Sequence, residues 1–110
     1  VLAYATAKGA VHAMTRAMAV DCAPHGVRVV SVSPGSVRTP LLEWGAAQQA
    51  GPEGSAEAVI AEWGRTHPIG RVGEAEEVAA LIAWACSDEA AFVTGVDLRI
   101  DGGLTARLPV

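Results

Sequence analysis

The pattern of apolar residues in the first fifth of the chain predicts a long helix. Residues 3–22 are rich in alanine and contain one glycine and no proline, a composition that favours a helix. Val11, Met14 and Met18 are spaced three and four positions apart, so they form one apolar stripe. We expect the helix to end near Pro24-His25-Gly26, because proline and glycine favour helix termination.

Two further segments predict strands, and a helix is predicted between them. Residues 27–32, VRVVSV, contain four valines without strict alternation, which is typical of a parallel strand covered on both faces. They lead into Ser33-Pro34-Gly35, a sequence that breaks regular structure. A helix is predicted from about 74 to 87, with glutamates in its first turn, and a second strand at 96–100. This order of strand, helix and strand indicates a parallel βαβ unit.

The segment from 36 to 73 is irregular and rich in glycine and proline. Two short helices are predicted within it, near 41–50 and 55–63, and Ser55 is the expected N-cap of the second. Long insertions of this kind commonly act as lids or binding loops. We therefore expect a lid at about residues 41–65.

Composition and charge narrow the class of function. The chain has 110 residues, of which 51% are hydrophobic and 18% charged, so it can form one globular domain at most. The net charge is −4 without blocks of like charge, which argues against nucleic acid and an anionic membrane surface as partners. No apolar run approaches the ~20 residues of a membrane span.

The cysteines and histidines predict no metal site and no disulfide framework. Cys22 and Cys86 are isolated from each other in the sequence, and the three histidines lack metal-ligand spacing. We therefore expect reduced cysteines in a cytoplasmic protein.

Tyr4 and Lys8 in the stretch YATAK are candidates for acid–base chemistry. Their spacing places both side chains on one helix face, with Cβ atoms about 5–6 Å apart. An ammonium within ~4–6 Å favours the phenolate form of a tyrosine, whose ordinary pKa is about 10. A phenol in that setting can donate or accept a proton near neutral pH, as a general acid or base must. The alternative is a tyrosine packed at a helix end beside a solvated lysine, since such pairs also arise by chance.

Several motifs follow this pair in a specific order. YATAK precedes VRVVSVSPGSVRTP, which precedes PIGRVGEAEEVAALIAWACSDEAAFVTGVDLRIDGG. From Leu2 to about Leu104 the chain resembles the carboxyl-terminal half of a short-chain dehydrogenase/reductase. The resemblance implies an α/β fold, the carboxyl-terminal part of a Rossmann-like doubly wound parallel sheet, with two strands and about four helices here. Residues 1–110 are then one portion of a single domain, whose amino-terminal dinucleotide-binding half lies outside this chain.

The resemblance also implies roles for individual residues. Tyr4 is the expected catalytic acid/base, and Lys8 assists it and hydrogen-bonds the nicotinamide ribose, so both also bind the cofactor. Pro34 and Gly35 turn the backbone past the nicotinamide, and the backbone of Val37 contacts the carboxamide. Thr39 is expected to hydrogen-bond the carboxamide or the pyrophosphate. The alternative for Thr39 is that it caps the next helix.

Large apolar residues of the lid are the candidate substrate contacts. Leu41, Leu42 and Trp44, with Trp63 as a further candidate, stand out in a glycine-rich stretch. The alternative is that the tryptophans only pack the lid onto the body of the protein.

The implied function is that of an oxidoreductase dependent on NAD or NADP, which this segment does not distinguish. Its substrate would be a small-molecule secondary alcohol or the matching ketone, and its assembly a homodimer or homotetramer. The 110-residue chain alone is expected to be inactive, because the glycine-rich phosphate loop and the catalytic serine and asparagine lie outside it. Two alternatives remain open: a non-enzymatic relative that binds a partner protein, and a related lyase or epimerase. The presence of both Tyr4 and Lys8 favours the oxidoreductase.

Overall fold

The computed structural model describes residues 1–107, and over this range the chain forms four α-helices and four β-strands. In chain order they are α1 Leu2–Cys22, β1 Ser31–Pro34, β2 Val37–Arg38, α2 Pro40–Ala50, α3 Ala56–Arg65, β3 Gly73–Glu74, α4 Ala75–Ala85 and β4 Asp97–Ile100. Short 3-10 helices occur at Ala23–His25, Asp88–Ala90 and Leu104–Ala106. The α/β class expected from the sequence is confirmed.

The chain divides into two compact units. The first unit contains Val1–Ser33 and Leu81–Leu98, and the second unit contains Pro34–Ala80 and the segment from Arg99 onward. Helix α1 therefore belongs to the first unit, whereas α2 and α3 belong to the second.

The strands form two parallel pairs. Strand β1 pairs with β4: the N–H of Ser31 donates to the carbonyl of Val96 at 3.1 Å, and that of Gly35 to Ile100 at 3.0 Å. Both partner numbers rise together along the strands, so the pair is parallel. Strand β2 pairs with β3 in parallel, with Val37 opposite Gly73. The parallel arrangement predicted from the strand–helix–strand order is confirmed.

Within the first unit, α1 is anchored by a few small residues. Thr15 and Ala19 are buried, and the Thr15 hydroxyl donates to the carbonyl of Val11 at 2.8 Å. A Cβ added at Gly95 would lie 3.3 Å from that of Ala19, so a glycine here permits the close approach of helix and loop. Gly26 ends the following 3-10 helix in the left-handed conformation with φ 71°, close to the predicted helix end.

The core of the second unit lies between the two lid helices. Ala46 of α2, Ile60 of α3 and Val72 are buried, and Leu42, Ala56, Val59 and Trp63 pack against them. Helix α3 starts at the predicted N-cap, because the Ser55 hydroxyl accepts a hydrogen bond from the N–H of Ala58 at 3.2 Å. The two short helices predicted between residues 41 and 63 are thus confirmed, with ends shifted by at most two residues.

Three boundaries differ from the sequence-based expectation. The first strand was expected at 27–32 but pairs only over 31–34, because at Val29 the partners are the Thr94 hydroxyl and the Gly95 N–H. Strand assignment depends on pairing, which a run of valines does not specify. Helix α4 is shorter than predicted. The short strands β2 and β3 lie in the segment expected to be irregular, since two residues carry no periodic pattern.

Candidate active site

Tyr4 and Lys8 lie one turn apart on α1, in the first unit. The Lys8 ammonium stands over the Tyr4 ring, with Nζ 5.5 Å from the ring centroid, which is within the range of a cation–π contact. Tyr4 is 70% exposed. Within residues 1–107, no hydrogen bond or ion pair occupies either the Tyr4 hydroxyl or the Lys8 ammonium. Both polar groups are therefore open to a ligand.

The loop from Pro34 to Thr39 lies in the second unit; it begins with the last residue of β1 and includes the short strand β2. At Gly35 there is no room for a side chain, because a Cβ would lie 2.8 Å from Nε2 of His67 and 3.0 Å from Cα of Asp101. The N–H of Gly35 donates to the carbonyl of Ile100 at 3.0 Å. The turn that the sequence predicted at Pro34-Gly35 is therefore packed tightly against the residues that follow β4.

Ser36 is fixed through both of its backbone polar groups. Its N–H donates to Nε2 of His67 at 3.1 Å, and its carbonyl accepts from the N–H of Gly73 at 2.9 Å. His67 is 2% exposed. Sequence reasoning identified neither residue, because a lone histidine without ligand spacing carries no signal for such a contact.

Val37 and Thr39 occupy defined positions beyond this turn. Val37 is half-buried in β2, and Thr39 is the extended N-cap of α2. The Thr39 hydroxyl oxygen accepts from the N–H of Leu42 at 3.2 Å, so the capping role considered from the sequence is observed. A hydroxyl that accepts one hydrogen bond still has its own proton to donate, so capping leaves Thr39 able to contact a ligand.

The four large apolar residues of the lid fall into two groups. Leu41 and Trp44 are 75% and 62% exposed on α2. Leu42 and Trp63 instead pack against the core between α2 and α3. The packing alternative therefore applies to Leu42 and Trp63, whereas Leu41 and Trp44 present apolar surface.

Arg71 and Arg38 each hold a glutamate of the second unit through two hydrogen bonds. The Arg71 guanidinium donates to both carboxylate oxygens of Glu77 at 2.8 and 2.7 Å, and the Glu74 N–H donates to the same carboxylate at 2.8 Å. The hydrogen bond from Arg71, followed by that from the Glu74 backbone, lowers the pKa of Glu77 to about 2. Arg38 of β2 similarly holds Glu57 of α3 through two hydrogen bonds at 2.9 and 3.0 Å. The hydrogen bonds from Arg38, followed by its positive charge, lower the pKa of the Glu57 carboxyl.

The part of the chain that the structure describes contains no group of three or more His, Cys, Asp or Glu side chains able to hold a metal ion. Among its helices, none combines the length and the apolar character that crossing a membrane would require.

Comparisons with known proteins agree with this fold. A family model described as enoyl-(acyl carrier protein) reductase matches residues 1–105. The chain is 40% identical over 102 residues to 3beta-hydroxysteroid dehydrogenase 1 of Eggerthella lenta, a match covering 93% of this chain and 36% of that protein.

Two solved structures have the same fold over almost the whole chain. The aldohexose dehydrogenase of Thermoplasma acidophilum matches with a TM-score of 0.90 and 41% identity, over 98% of this chain and 42% of that one. A short chain dehydrogenase family protein from Francisella tularensis matches with a TM-score of 0.89 and 34% identity. The match covers 96% of this chain and 44% of that protein.

The chain spans about a third of the length of the curated relatives it matches. The family model nevertheless covers nearly all of the chain, and the order of helices and parallel strands is shared with the solved structures. The chain belongs to the short-chain dehydrogenase/reductase family.

Proposed function

We propose that the protein is an NAD(P)-dependent oxidoreductase that interconverts a secondary alcohol and a ketone. Tyr4 is the acid/base in this proposal, and Lys8 assists it. The observation that carries the proposal is the Lys8 ammonium 5.5 Å from the centroid of the Tyr4 ring, in a chain of this family. We further propose that residues 1–110 form the carboxyl-terminal portion of one Rossmann-like domain, with residues 41–65 as its lid.

The proton transfer is assigned to Tyr4. In the reducing direction its hydroxyl donates a proton to the carbonyl oxygen of the ketone as that oxygen gains negative charge. In the oxidising direction the phenolate accepts the proton of the alcohol. Lys8 is placed to assist, because its ammonium stands over the Tyr4 ring, 5.5 Å from the centroid.

The residues present fit a nicotinamide dinucleotide, either NAD or NADP. When bound, that group would supply or accept the hydride. The three N–H donors of Lys8 are unoccupied within the described residues, and the Thr39 hydroxyl retains a proton to donate. These donors suit the hydroxyl and amide oxygens of such a group. Pro34, Gly35 and the backbone of Val37 are the further proposed contacts to the nicotinamide end.

The exposed apolar residues of the lid are the proposed substrate contacts. Leu41 and Trp44 present their side chains outward on α2, which supports this role. Leu42 was also a candidate, and its packing against the core between the helices supports an indirect role for it, in setting the position of α2. The proposed substrates are small alcohols and ketones, in line with relatives named as dehydrogenases of a hydroxysteroid and of aldohexoses.

We also propose that the protein assembles as a homodimer or homotetramer. The exposed apolar side chains of Val11, Met14 and Met18 on α1 support this, because contiguous apolar surface commonly marks an interface. Size-exclusion chromatography with light scattering on the full-length protein tests it, and a monomeric mass would overturn it.

A coupled turnover assay on the full-length protein tests the proposed activity. Formation of NADH or NADPH would be followed with the oxidised cofactor and a 3β-hydroxysteroid or an aldohexose, and its consumption with a panel of simple ketones. We expect turnover with one of the two cofactors and a loss of at least about 10²-fold in Tyr4→Phe, because general acid/base catalysis contributes roughly 10²–10⁴-fold. Wild-type rates in Tyr4→Phe would overturn the assignment of Tyr4. Absence of binding to both cofactors would instead favour a partner-binding relative.

A further inference from the structure

His67 joins the proposed cofactor loop to the lid. It lies just after α3 and is 2% exposed. We propose that His67 is a positioning residue that holds Gly35-Ser36 in the conformation needed to bind the nicotinamide end of the cofactor. This inference rests on the proposed function. In it, His67 affects cofactor binding by holding the loop in position and does not contact the substrate.

Both nitrogens of the His67 ring have defined partners. A backbone N–H can only donate, so Nε2 accepts the hydrogen bond from Ser36 at 3.1 Å. In the neutral ring the proton is then on Nδ1, which donates to the carbonyl of Trp63 at 3.1 Å. The hydroxyl oxygen of Thr66 lies 3.2 Å from the same Nδ1. The ring is thus a single bridge from the carboxyl end of α3 to the backbone of the loop.

The His67 ring is packed closely against the backbone of the loop. A Cβ at Gly35 would lie 2.8 Å from Nε2 of His67, which is closer than side-chain carbons approach such an atom. The ring therefore occupies the volume that the missing side chain of Gly35 leaves open. Because packed groups of this kind are not continuously deformable, a shift of the ring displaces the loop.

The other hydrogen bonds that hold the backbone of Gly35 and Ser36 are made to backbone groups. The Gly35 N–H bonds to Ile100, and the Ser36 carbonyl accepts from Gly73. Among the hydrogen bonds that Gly35 and Ser36 make within residues 1–107, the one from the Ser36 N–H depends on a side chain, so a single substitution can remove it. Since the second nitrogen contacts Trp63 of the lid helix, movement of α3 would reach the loop through the same ring.

A pair of isosteric substitutions separates the two hydrogen bonds. In His67→Asn the amide can replace Nδ1 and still donate to Trp63, but nothing accepts from Ser36. In His67→Gln the longer amide places an oxygen near the position of Nε2, where it can accept from Ser36. The Trp63 carbonyl then keeps its other donor, the Thr66 hydroxyl at 2.6 Å. His25→Asn, an exposed site in the first unit, is the control for the chemical change itself.

The test measures the dissociation constant for NADH and NADPH in the full-length protein. We expect His67→Asn to weaken binding of the preferred cofactor about tenfold, while the rate at saturating cofactor changes less than about threefold. A tenfold change corresponds to about 1.4 kcal/mol, the size of one net hydrogen bond. His67→Gln should recover most of the lost affinity, and His25→Asn should match the wild type. Equal affinities in His67→Asn and wild type, or equal losses in both His67 variants, would overturn the proposal.

A spectroscopic readout on the wild type does not depend on how the variants fold. ¹⁵N NMR of the His67 ring should show the neutral form protonated at Nδ1, whereas a ring protonated at Nε2 would overturn the proposed bridge. If the wild type bound neither dinucleotide, the proposed function would fail and the positioning role would fail with it. If the wild type bound and turned over while the variants were unaffected, only the role of His67 would fail.

Discussion

The substitution Gly35→Ala tests the tight packing of the proposed cofactor loop. The added Cβ would lie 2.8 Å from Nε2 of His67 and 3.0 Å from Cα of Asp101, whereas ordinary contacts of a Cβ are 3.4–4 Å. One neighbour is a buried ring and the other is backbone, so neither can move aside alone. Forcing a methyl group into such a site costs about 1–3 kcal/mol. We expect the free energy of unfolding to fall by that amount.

Gly45→Ala is the matched control for this change. Gly45 lies inside α2, and an added Cβ would have its nearest neighbour, an atom of Trp63, at an ordinary 3.8 Å. Replacing an interior helix glycine with alanine stabilises a helix by about 1 kcal/mol. Urea unfolding of the full-length protein should therefore show opposite signs for the two variants. If Gly35→Ala unfolded with the wild-type free energy, the inferred contact between the loop and His67 would be wrong.

Three other predictions concern the second unit and are measured by urea unfolding of the full-length protein. Ile60→Ala should cost about 2–5 kcal/mol and Ile60→Val much less, because Ile60 fills the core between α2 and α3; equal costs would contradict that packing. Thr39→Val should lose about 1 kcal/mol of helix capping while Thr39→Ser retains it, and a stable Thr39→Val would exclude the cap. The lowered pKa of Glu77 adds stability that is fully present above pH 4.5 and is lost as pH falls towards 2. In Glu77→Gln the free energy of unfolding should therefore fall less between pH 4.5 and 2 than in the wild type. The same pH dependence in both proteins would contradict the ion pair with Arg71.

Local patterns in the sequence predicted the helices and the candidate pair. The spacing of Tyr4 and Lys8 on one face follows from helix geometry alone, as does the start of α3 at Ser55. Two short helices were predicted within the glycine- and proline-rich segment 36–73, and both are present at nearly the expected residues. These features depend on residues close together in the chain.

The features that the sequence did not predict depend on distant residues. His67 and Ser36 are 31 positions apart, and no periodicity connects them. The pairing of β2 with β3 likewise joins segments on opposite sides of the lid. Strand β1 starts later than the valine run suggested, because hydrophobicity does not specify which residues find hydrogen-bond partners. Leu42 and Trp44 were alike in the sequence, and only the packing of α2 on α3 distinguishes them.

The rate of alcohol oxidation by the full-length Lys8→Met variant tests the central claim most directly. Arg16→Met removes an equal charge from the exposed surface of the same helix and serves as the control. If the Lys8 ammonium assists Tyr4, the rate at saturating cofactor and alcohol should fall in Lys8→Met and stay at the wild-type value in Arg16→Met. Equal rates in the wild type and in Lys8→Met would contradict the account.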